Sequence, residues 1–356
     1  MSAWHSGEAQ YRAELERGGH AEDSEYRWPI QIVTDSGEMT DCTVEVLRRT
    51  QEAEDIVVFE LGRPDGAPLP PFSAGSHIDV YVPEEPTRQY SLCNEAGNQS
   101  RYRIAVLRDP NTRGGSARLH DQVAVGDTLQ ISEPRNHFPL VHSEQRSLLF
   151  AGGIGVTPLL CMAMRLDKIG ADFAMHYCAR SASRAAFASE IRSSPFGERV
   201  SFHFDDCPEQ RLDLKAVLES VGKEAHIYTC GPGGFIDFIV EGAKRAGFGD
   251  DQVHLEYFAS TQKLPVVQAA FVVKLASTGR VIPVGAQQTV VEALISAGVP
   301  VRTSCEQGVC GVCLTRVLEG VCDHRDLFLT PMEQARNDQF TPCCSRSKTP
   351  VLVLDL

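Results

Sequence analysis

The chain has 356 residues, of which 42% are hydrophobic and 23% are charged, and its formal net charge is −13. This length allows two or three domains with a substantial core, and the acidic balance argues against nucleic acid as a partner, since phosphate binding needs a basic surface. Because residues 1–23 are polar and no apolar run reaches the roughly 18–20 residues of a membrane span, we expect a cytoplasmic protein with no membrane partner.

Residues 1–40 are polar and acidic and show no hydrophobic period, which predicts a flexible N-terminal extension. From residue 41 to residue 143, short apolar runs alternate with turn residues. This rhythm is typical of a small antiparallel β-barrel. The predicted strands are Cys42–Leu47, Ile56–Leu61, His77–Val82, Tyr102–Leu107 and Thr128–Ile131.

Residues 144–260 alternate strand-like and helix-like segments, which predicts a doubly wound α/β domain built on a parallel sheet. Its first strand, Ser147–Phe150, is almost continuously apolar, as expected for a strand buried on both faces. The other predicted strands are Phe173–Cys178, Val200–Phe204, Ile227–Cys230 and Val253–Phe258, and the predicted helices are Pro158–Lys168, Arg184–Ile191, Leu214–Val221 and Phe235–Arg245.

Residues 261–267 form a predicted linker, and residues 268–356 form a compact β-rich unit. A hairpin, an amphipathic helix, a cysteine-rich loop and a last strand are predicted within this unit. The regular elements are Phe271–Leu275, Arg280–Val284, Val290–Ala297 and Val351–Leu354.

Two glycine turns follow strands of the predicted parallel sheet. The first contains Gly153, Gly155 and Thr157 and leads into a helix, whose free N–H groups suit a pyrophosphate. The second contains Cys230, Gly231 and Pro232. Each turn alone is also compatible with a plain tight turn, but two turns at the carboxyl edge of one sheet predict a bound nucleotide.

Two groups of polar residues lie in the barrel segment. Arg88, Tyr90 and Ser91 combine a cation, an aromatic ring and a hydroxyl near one strand. Gly114, Gly115 and Ser116 follow Arg113 and offer consecutive N–H groups for a phosphate. By composition alone, Arg88 is equally compatible with an ordinary surface position.

Three cysteines in the C-terminal unit, Cys305, Cys310 and Cys313, stand at C-x4-C-x2-C spacing, as in the loop of plant-type [2Fe–2S] ferredoxins. A fourth thiolate is available downstream, where Cys343 and Cys344 are adjacent. A zinc site is the competing interpretation, although zinc sites usually show two paired C-x2-C arms.

The order of these motifs resembles that of the phthalate dioxygenase reductase family, which includes the vanillate demethylase reductases and belongs to the ferredoxin–NADP reductase superfamily. The resemblance rests on Arg88-x-Tyr90-Ser91-Leu92, the Gly114-Gly115-Ser116 turn, Gly152 to Pro158, Cys230-Gly231-Pro232 and the C-terminal cysteine loop. It covers about residues 41–356.

The resemblance implies that FMN binds in the barrel, that a pyridine nucleotide binds on the parallel sheet and that a [2Fe–2S] cluster binds in a C-terminal β-grasp domain of the plant-type ferredoxin kind. Thr157 and Cys230 would flank the hydride path as catalytic residues. In the resembling proteins the fourth cluster ligand lies two residues before Ser-Arg, which favours Cys343 over Cys344. The implied cofactor contacts are Arg88, Tyr90, Ser91, Leu92, Ala105, Val106, Gly114, Gly115, Ser116, Gly153, Gly155, Thr157, Cys230, Gly231, Pro232 and Phe258, and the implied metal ligands are Cys305, Cys310, Cys313 and Cys343.

NADH is the donor that the resemblance implies, but the choice between NADH and NADPH stays open. No acidic residue stands out for the ribose 2′-hydroxyl after the second strand of the parallel sheet, and arginines such as Arg180 and Arg184 follow it instead. Arginine suits the 2′-phosphate of NADPH, although arginines in such turns are more often plain surface charges.

The function that follows is a reductase component, which takes a hydride from NAD(P)H and passes single electrons to the terminal oxygenase of a Rieske non-haem iron system. Two alternatives remain open at the level of the sequence. One is a reductase for a cytochrome P450, and the other is a non-catalytic redox-sensing or metal-binding module. No general acid or base stands out from the sequence.

Overall fold

The computed structural model describes residues 41–81, 87–108, 115–141, 145–258, 269–303, 305–306 and 308–356. The predicted N-terminal extension 1–40, the predicted linker 261–267 and the candidate phosphate contact Gly114 lie outside these ranges. All described residues belong to one unit of the chain, residues 40–356. Among them, no helix combines the length and the apolar character that crossing a bilayer requires.

Within the described residues, the first sheet is antiparallel and has the strand order β4-β3-β6-β1-β2-β5, with β7 paired to β3. Directly after β4, the backbone N–H of Cys93 donates to the carbonyl of Arg103 on β5 at 2.9 Å, so the two ends of the sheet meet. The sheet therefore curls around its apolar core, as the sequence predicts. Its strands are β1 Asp41–Ala53, β2 Ile56–Gly62, β3 Ser76–Tyr81, β4 Arg88–Ser91, β5 Tyr102–Leu107, β6 Thr128–Ser132 and β7 Arg135–Asn136.

A helix that the sequence analysis missed, α1 (Gly115–Gln122), follows β5. It is fixed to β5 by His120, whose Nε2 lies 2.8 Å from the carbonyl oxygen of Val106. The side chain of Arg49 also donates to the carbonyl of His120 at 2.7 Å. The predicted phosphate turn therefore leads into a helix, and Gly115 and Ser116 form its first turn.

The second sheet is parallel, and its described strands have the order β10-β9-β8-β11-β12. Chain order reverses between β8 and β11, which is where doubly wound sheets bind ligands. Strand β8 is buried along its whole length, because helices cover both faces of the sheet. The elements are β8 Ser147–Gly152, α2 Val156–Lys168, β9 Phe173–Ala179, α3 Ala188–Ser193, β10 Val200–Phe204, α4 Leu214–Glu219, β11 His226–Gly231, α5 Gly233–Arg245 and β12 Val253–Tyr257.

The predicted helix Arg184–Ile191 is wrong as a single element. Phe187 adopts a left-handed conformation with φ of +61°, and the α-helix begins only after it. Its N–H donates to the Glu52 side chain at 2.9 Å, and its buried ring lies beneath the guanidinium of Arg103. These contacts with the first sheet override local helix propensity.

Arg103 connects the first two sheets. Its guanidinium donates to both carboxylate oxygens of Glu190 on α3, at 2.8 and 2.9 Å, and also to the carbonyl of Cys93 at 2.9 Å. The arginine side chain is only 17% exposed, whereas that of Glu190 is 39% exposed. Because the guanidinium is shielded from water, this bidentate pair fixes the position of the first sheet relative to the second more firmly than a surface ion pair would.

We expect Arg103→Ala to lower the free energy of unfolding by about 2 kcal/mol, since it removes three charge-assisted hydrogen bonds and a packed side chain. Arg101→Ala is the matched control, because Arg101 pairs with Glu60 from a half-exposed position on the surface and should contribute less than about 1 kcal/mol. Urea titration of both variants measures these free energies of unfolding. Equal losses of stability in Arg103→Ala and Arg101→Ala would contradict the prediction.

The third sheet has the order β14-β13-β19-β15-β17 within the described residues, and a two-stranded sheet of β16 and β18 lies beside it. Two helices in this region begin with reciprocal capping bonds, between Thr289 and Glu292 and between Thr330 and Glu333. The predicted domain limits at 143/144 and 260/268 fall between the three sheets and stay predictions. The elements are β13 Phe271–Leu275, β14 Val281–Val284, α6 Val290–Ser296, β15 Thr315–Glu319, β16 Cys322–Asp323, α7 Pro331–Arg336, β17 Gln339–Phe340, β18 Arg346–Ser347 and β19 Val351–Leu354.

Candidate functional site

The two glycine turns of the parallel sheet touch each other at its switch point. A Cβ placed on Gly155 would lie 2.2 Å from the carbonyl oxygen of Cys230 and 2.6 Å from the nitrogen of Gly231. Only glycine allows this approach, which brings the N-terminus of α2 to the carboxyl end of β11. Gly153, in the same turn, has a positive φ of +54°.

The two predicted catalytic residues are both buried at this switch point. The hydroxyl of Thr157 donates to the carbonyl of Ile154 at 3.0 Å, which fixes its rotamer in the first turn of α2. Burial raises the pKa of the Cys230 thiol well above its ordinary value, and the nearby Glu256 carboxylate adds to this effect. Cys230 is therefore a neutral thiol and packs as one.

Glu256 is a candidate functional residue that the sequence analysis missed. It lies on β12 directly beside Cys230 on β11, and it accepts a hydrogen bond of 3.4 Å from the Ser91 hydroxyl of the first sheet. Burial raises the pKa of its carboxyl to about 8. The available signal was an acidic residue in the penultimate position of a strand at the carboxyl edge of the sheet.

We expect the thermal stability of the protein to depend on the titration of Glu256. Its raised pKa favours the protonated form in the folded state, so its contribution to stability is present below about pH 4 and is lost as pH rises through about 8. Glu256→Gln should therefore make the fall in Tm between pH 6 and pH 9 smaller by about 4 °C. Glu241→Gln, at an exposed site on α5, is the control, and equal pH dependence in both variants would contradict this.

A cavity of about 240 Å³ lies where the first sheet, the end of β12 and the cysteine loop meet. We call it the junction cleft. It combines candidate flavin contacts with candidate cluster ligands in one space. The residues that line it include Arg88, Ser91, Glu256, Phe258, Cys305 and Cys310.

The remaining candidate flavin contacts differ in exposure. Leu92, Ala105 and Val106 are buried in the apolar core of the first sheet. Burial also raises the pKa of the Tyr90 hydroxyl far above its usual range, so the phenol stays neutral. Phe258 is the most open of the set, with 37% of its surface exposed.

Histidines form one wall of the junction cleft. The rings of His77 and His137 lie 5.3 Å apart, and His137 meets the edge of Phe328 from the C-terminal region at 6.3 Å. Burial lowers the pKa of His77 to about 3, with further contributions from His137 and from the positive charge of Arg135. The His77 ring is therefore neutral at physiological pH, and this wall adds no positive charge from it.

The cluster cysteines form two pairs. Interaction with the Cys305 thiol raises the pKa of Cys310, and interaction with the thiols of Cys313 and of the adjacent Cys344 raises the pKa of Cys343. All four are buried. Within the described part of the chain, no three metal-binding side chains form a group suited to a single ion. Two pairs of thiols fit a two-iron cluster, in which each iron takes two terminal cysteines.

Cys344 follows Cys343 directly and interacts with its thiol, but it also contacts two hydroxyl groups. Its sulfur lies 3.2 Å from the Thr341 hydroxyl and 3.8 Å from that of Ser345. It also fills the space beside Gly308, where a Cβ would lie 2.4 Å from the sulfur. Cys322 is buried on β16, where it packs in the core of the third sheet.

Comparison with known proteins is consistent with this arrangement. Residues 273–348 match the model of the 2Fe-2S iron-sulfur cluster binding domain. A vanillate O-demethylase oxidoreductase of Pseudomonas putida is 53% identical over 87% of this chain and 98% of its own. A phthalate dioxygenase reductase of Burkholderia cepacia is 38% identical over 88% of this chain and 97% of its own.

Solved structures of related proteins are similar to this chain over most of its length. A phthalate dioxygenase reductase, described as a modular structure for electron transfer from pyridine nucleotides to [2Fe–2S], superposes with a TM-score of 0.72 at 38% identity. The match covers 89% of this chain and 98% of that one. An intact type IV self-sufficient cytochrome P450 monooxygenase superposes with a TM-score of 0.76, also at 38% identity, over 89% of this chain but 41% of that one.

Proposed function

The chain belongs to the phthalate dioxygenase reductase family, together with the vanillate O-demethylase oxidoreductases, and from this membership we propose that it is the reductase component of an oxygenase system. The observation that carries the proposal is the junction cleft, because Ser91 and Phe258 share it with Cys305 and Cys310. Residues suited to a flavin and residues suited to a cluster thus face one space, as electron transfer between them requires.

FMN is the proposed flavin. Arg88 and the first turn of α1, with Gly115 and Ser116, would hold its phosphate, since a guanidinium and the positive end of a helix dipole both suit an anion. Ser91 and Phe258 would contact the ring from the cleft, with Tyr90 beside it. Leu92, Ala105 and Val106 would support the site from the core, and Gly114 completes the proposed phosphate turn.

A [2Fe–2S] cluster is proposed for the two thiol pairs, Cys305 with Cys310 and Cys313 with Cys343. When bound, FMN accepts two electrons together and the cluster carries them out one at a time. The residues of the chain hold the thiols in a buried loop that excludes water. Cys343 is proposed over Cys344 as the fourth ligand because Cys343 interacts with Cys313, whereas Cys344 also contacts the hydroxyls of Thr341 and Ser345.

A pyridine nucleotide is the proposed donor, held at the switch point of the parallel sheet. Gly153 and Gly155 would let the pyrophosphate approach the N-terminus of α2, and Gly231 and Pro232 would border it on the other side. Thr157 and Cys230 would confine the nicotinamide between them. Because both are buried and uncharged, they would exclude water and orient the ring, while Glu256 holds a proton nearby.

The proposed electron acceptor is the terminal oxygenase of a Rieske non-haem iron system. Support comes from the relatives named as reductases or subunits of vanillate demethylation and of phthalate and phenoxybenzoate dioxygenation. We also propose a cytoplasmic location, because a reducing compartment suits twelve free cysteines.

Reduction of a cytochrome P450 is a second candidate function. A specific observation favours it, since the segment of the self-sufficient P450 monooxygenase that resembles this chain matches it over all three sheets. A non-catalytic metal-binding module is the third reading, and it predicts a colourless protein with zinc and no acid-labile sulfide.

Anaerobic stopped-flow mixing tests the proposal. NADH should bleach the flavin absorbance first and the cluster absorbance second, and mixing with a Rieske oxygenase should reoxidise the cluster. Reoxidation by a P450 but by no Rieske oxygenase would favour the second candidate. A protein that contains neither flavin nor iron, or that is not reduced by either NADH or NADPH, would contradict the proposed function.

A further inference from the structure

The turn after β9 lies at the carboxyl end of the second strand of the parallel sheet, beside the proposed nucleotide site. In doubly wound sheets, the end of the second strand meets the ribose of the adenosine, and β9 is that strand here. Ser181, Ser183 and Arg184 lie in the turn. Hydroxyls and a guanidinium are groups that bind a 2′-phosphate. Whether they are already paired with other residues therefore affects the affinity for NADPH.

Arg184 is already paired with two carboxylates from the first sheet. Its Nη2 lies 3.2 Å from the Asp55 carboxylate, and it also forms a closer ion pair with Glu54. Both acids lie in the tight turn between β1 and β2, where Asp55 has a positive φ of +62°. Two negative charges therefore face one guanidinium.

The Ser183 hydroxyl is engaged by the same acid, and the Ser181 hydroxyl is linked to it through Ser183. Ser183 donates to the Glu54 carboxylate at 3.3 Å, and its Oγ lies 3.0 Å from that of Ser181. The backbone N–H of Glu54 also donates to the carbonyl of Ser183 at 2.9 Å, which holds the two turns together. A phosphate bound here would have to displace a carboxylate from each of these donors.

We propose that Glu54 and Asp55 are specificity-determining residues, which select NADH by keeping Arg184 and Ser183 from the 2′-phosphate of NADPH. This inference rests on the proposed function for the choice of nucleotide. The 2′-hydroxyl of NADH carries no charge, so it meets no repulsion from the two carboxylates. The 2′-phosphate of NADPH is a dianion, and it would be repelled by both carboxylates.

Arg180 is the competing phosphate ligand, because it is exposed at the end of the same strand. Two further acids accompany it, since the N–H of Asp205 donates to the carbonyl of Ala179 and that of Asp206 to the carbonyl of Arg180. Acidic residues therefore lie next to the turn after β9 on both sides, Glu54 and Asp55 on one and Asp205 and Asp206 on the other. This arrangement supports discrimination against the 2′-phosphate of NADPH.

Nucleotide fragments test this inference without catalysis. Calorimetric titration of the holoprotein with 5′-AMP and with adenosine 2′,5′-bisphosphate measures the contribution of the 2′-phosphate directly. We expect the double variant Glu54→Gln/Asp55→Asn to bind the bisphosphate at least tenfold more tightly than the wild type, with little change for 5′-AMP. Adding Arg184→Ala to this variant should abolish the gain, whereas adding Arg180→Ala should leave it.

The matched control is Asp167→Asn/Asp172→Asn, which removes two ion-paired carboxylates from the opposite edge of the sheet. This control should change the affinity for neither 5′-AMP nor the bisphosphate. It therefore separates an effect of the carboxylates beside Arg184 from the effect of a changed net charge. An equal gain in this control, no gain in the double variant, or wild-type preference for the bisphosphate would overturn the proposal.

Flavin bleaching by NADH and NADPH gives the second measurement. The ratio of kcat/KM for NADPH to that for NADH should rise at least tenfold in the double variant. If neither donor bleaches the flavin of the wild type, the proposed function fails, and the fragment titrations still decide whether Glu54 and Asp55 exclude a 2′-phosphate.

Discussion

Cys343→Ser should yield a protein without a stable [2Fe–2S] cluster, whereas Cys344→Ser should keep its cluster. The iron content should fall from about two per chain to near zero in the first variant only. The reason is that Cys343 interacts with the thiol of Cys313, whereas Cys344 interacts with Cys343 and with the Thr341 hydroxyl. Loss of one thiol of a pair leaves one iron with a single protein thiolate.

Iron and acid-labile sulfide analysis, with visible circular dichroism, would measure this difference. Retained flavin in Cys343→Ser would show that the rest of the protein is folded. A serine oxygen is a poorer ligand for iron than a thiolate, so a faint residual chromophore is compatible with the prediction. A full cluster in Cys343→Ser together with none in Cys344→Ser would reverse the assignment.

Gly155→Ala should reduce the rate of flavin reduction by NADH by about a hundredfold or more. The added methyl group would meet the carbonyl of Cys230 at 2.2 Å, so the turn has to move away from β11. A displacement on the order of 1 Å between reacting groups costs about that factor in rate. Chemical reduction of the flavin by dithionite should be unaffected, because it needs no bound nucleotide.

Gly234→Ala is the matched control for this variant. Gly234 lies in the first turn of α5, and nothing within 4 Å would contact a methyl group there. Its rate with NADH should stay within about twofold of the wild type, as expected for a substitution that meets no neighbour. If both glycine variants lose the same activity, the close approach of the two turns is not the cause.

The sequence predicted the fold well where local pattern and motif agree. The glycine turns, the parallel strands and the cysteine spacing each carry a strong local signal, and their order along the chain indicated three domains. The sequence placed both glycine turns at carboxyl ends of parallel strands, whereas the structure adds that β8 and β11 are neighbours, which brings Gly155 against Cys230.

The features that the sequence analysis missed depend on contacts between distant residues. Phe187 breaks a predicted helix because Glu52 and Arg103 hold it, and Arg184 is paired with acids 130 residues earlier in the chain. Glu256 gave no periodic signal, since its significance comes from Ser91 on another sheet. Pairings of this kind appear only once the sheets are packed together.

The charge of the C-terminal region has a consequence for partner choice. Residues 269–356 contain eight basic and eight acidic side chains, so the −13 net charge lies outside the region that holds the cysteine loop. The electron-exit end has little long-range field of its own, and the rate of encounter with an acceptor should change little with ionic strength. An acceptor would then be selected by contacts at close range and not by long-range attraction.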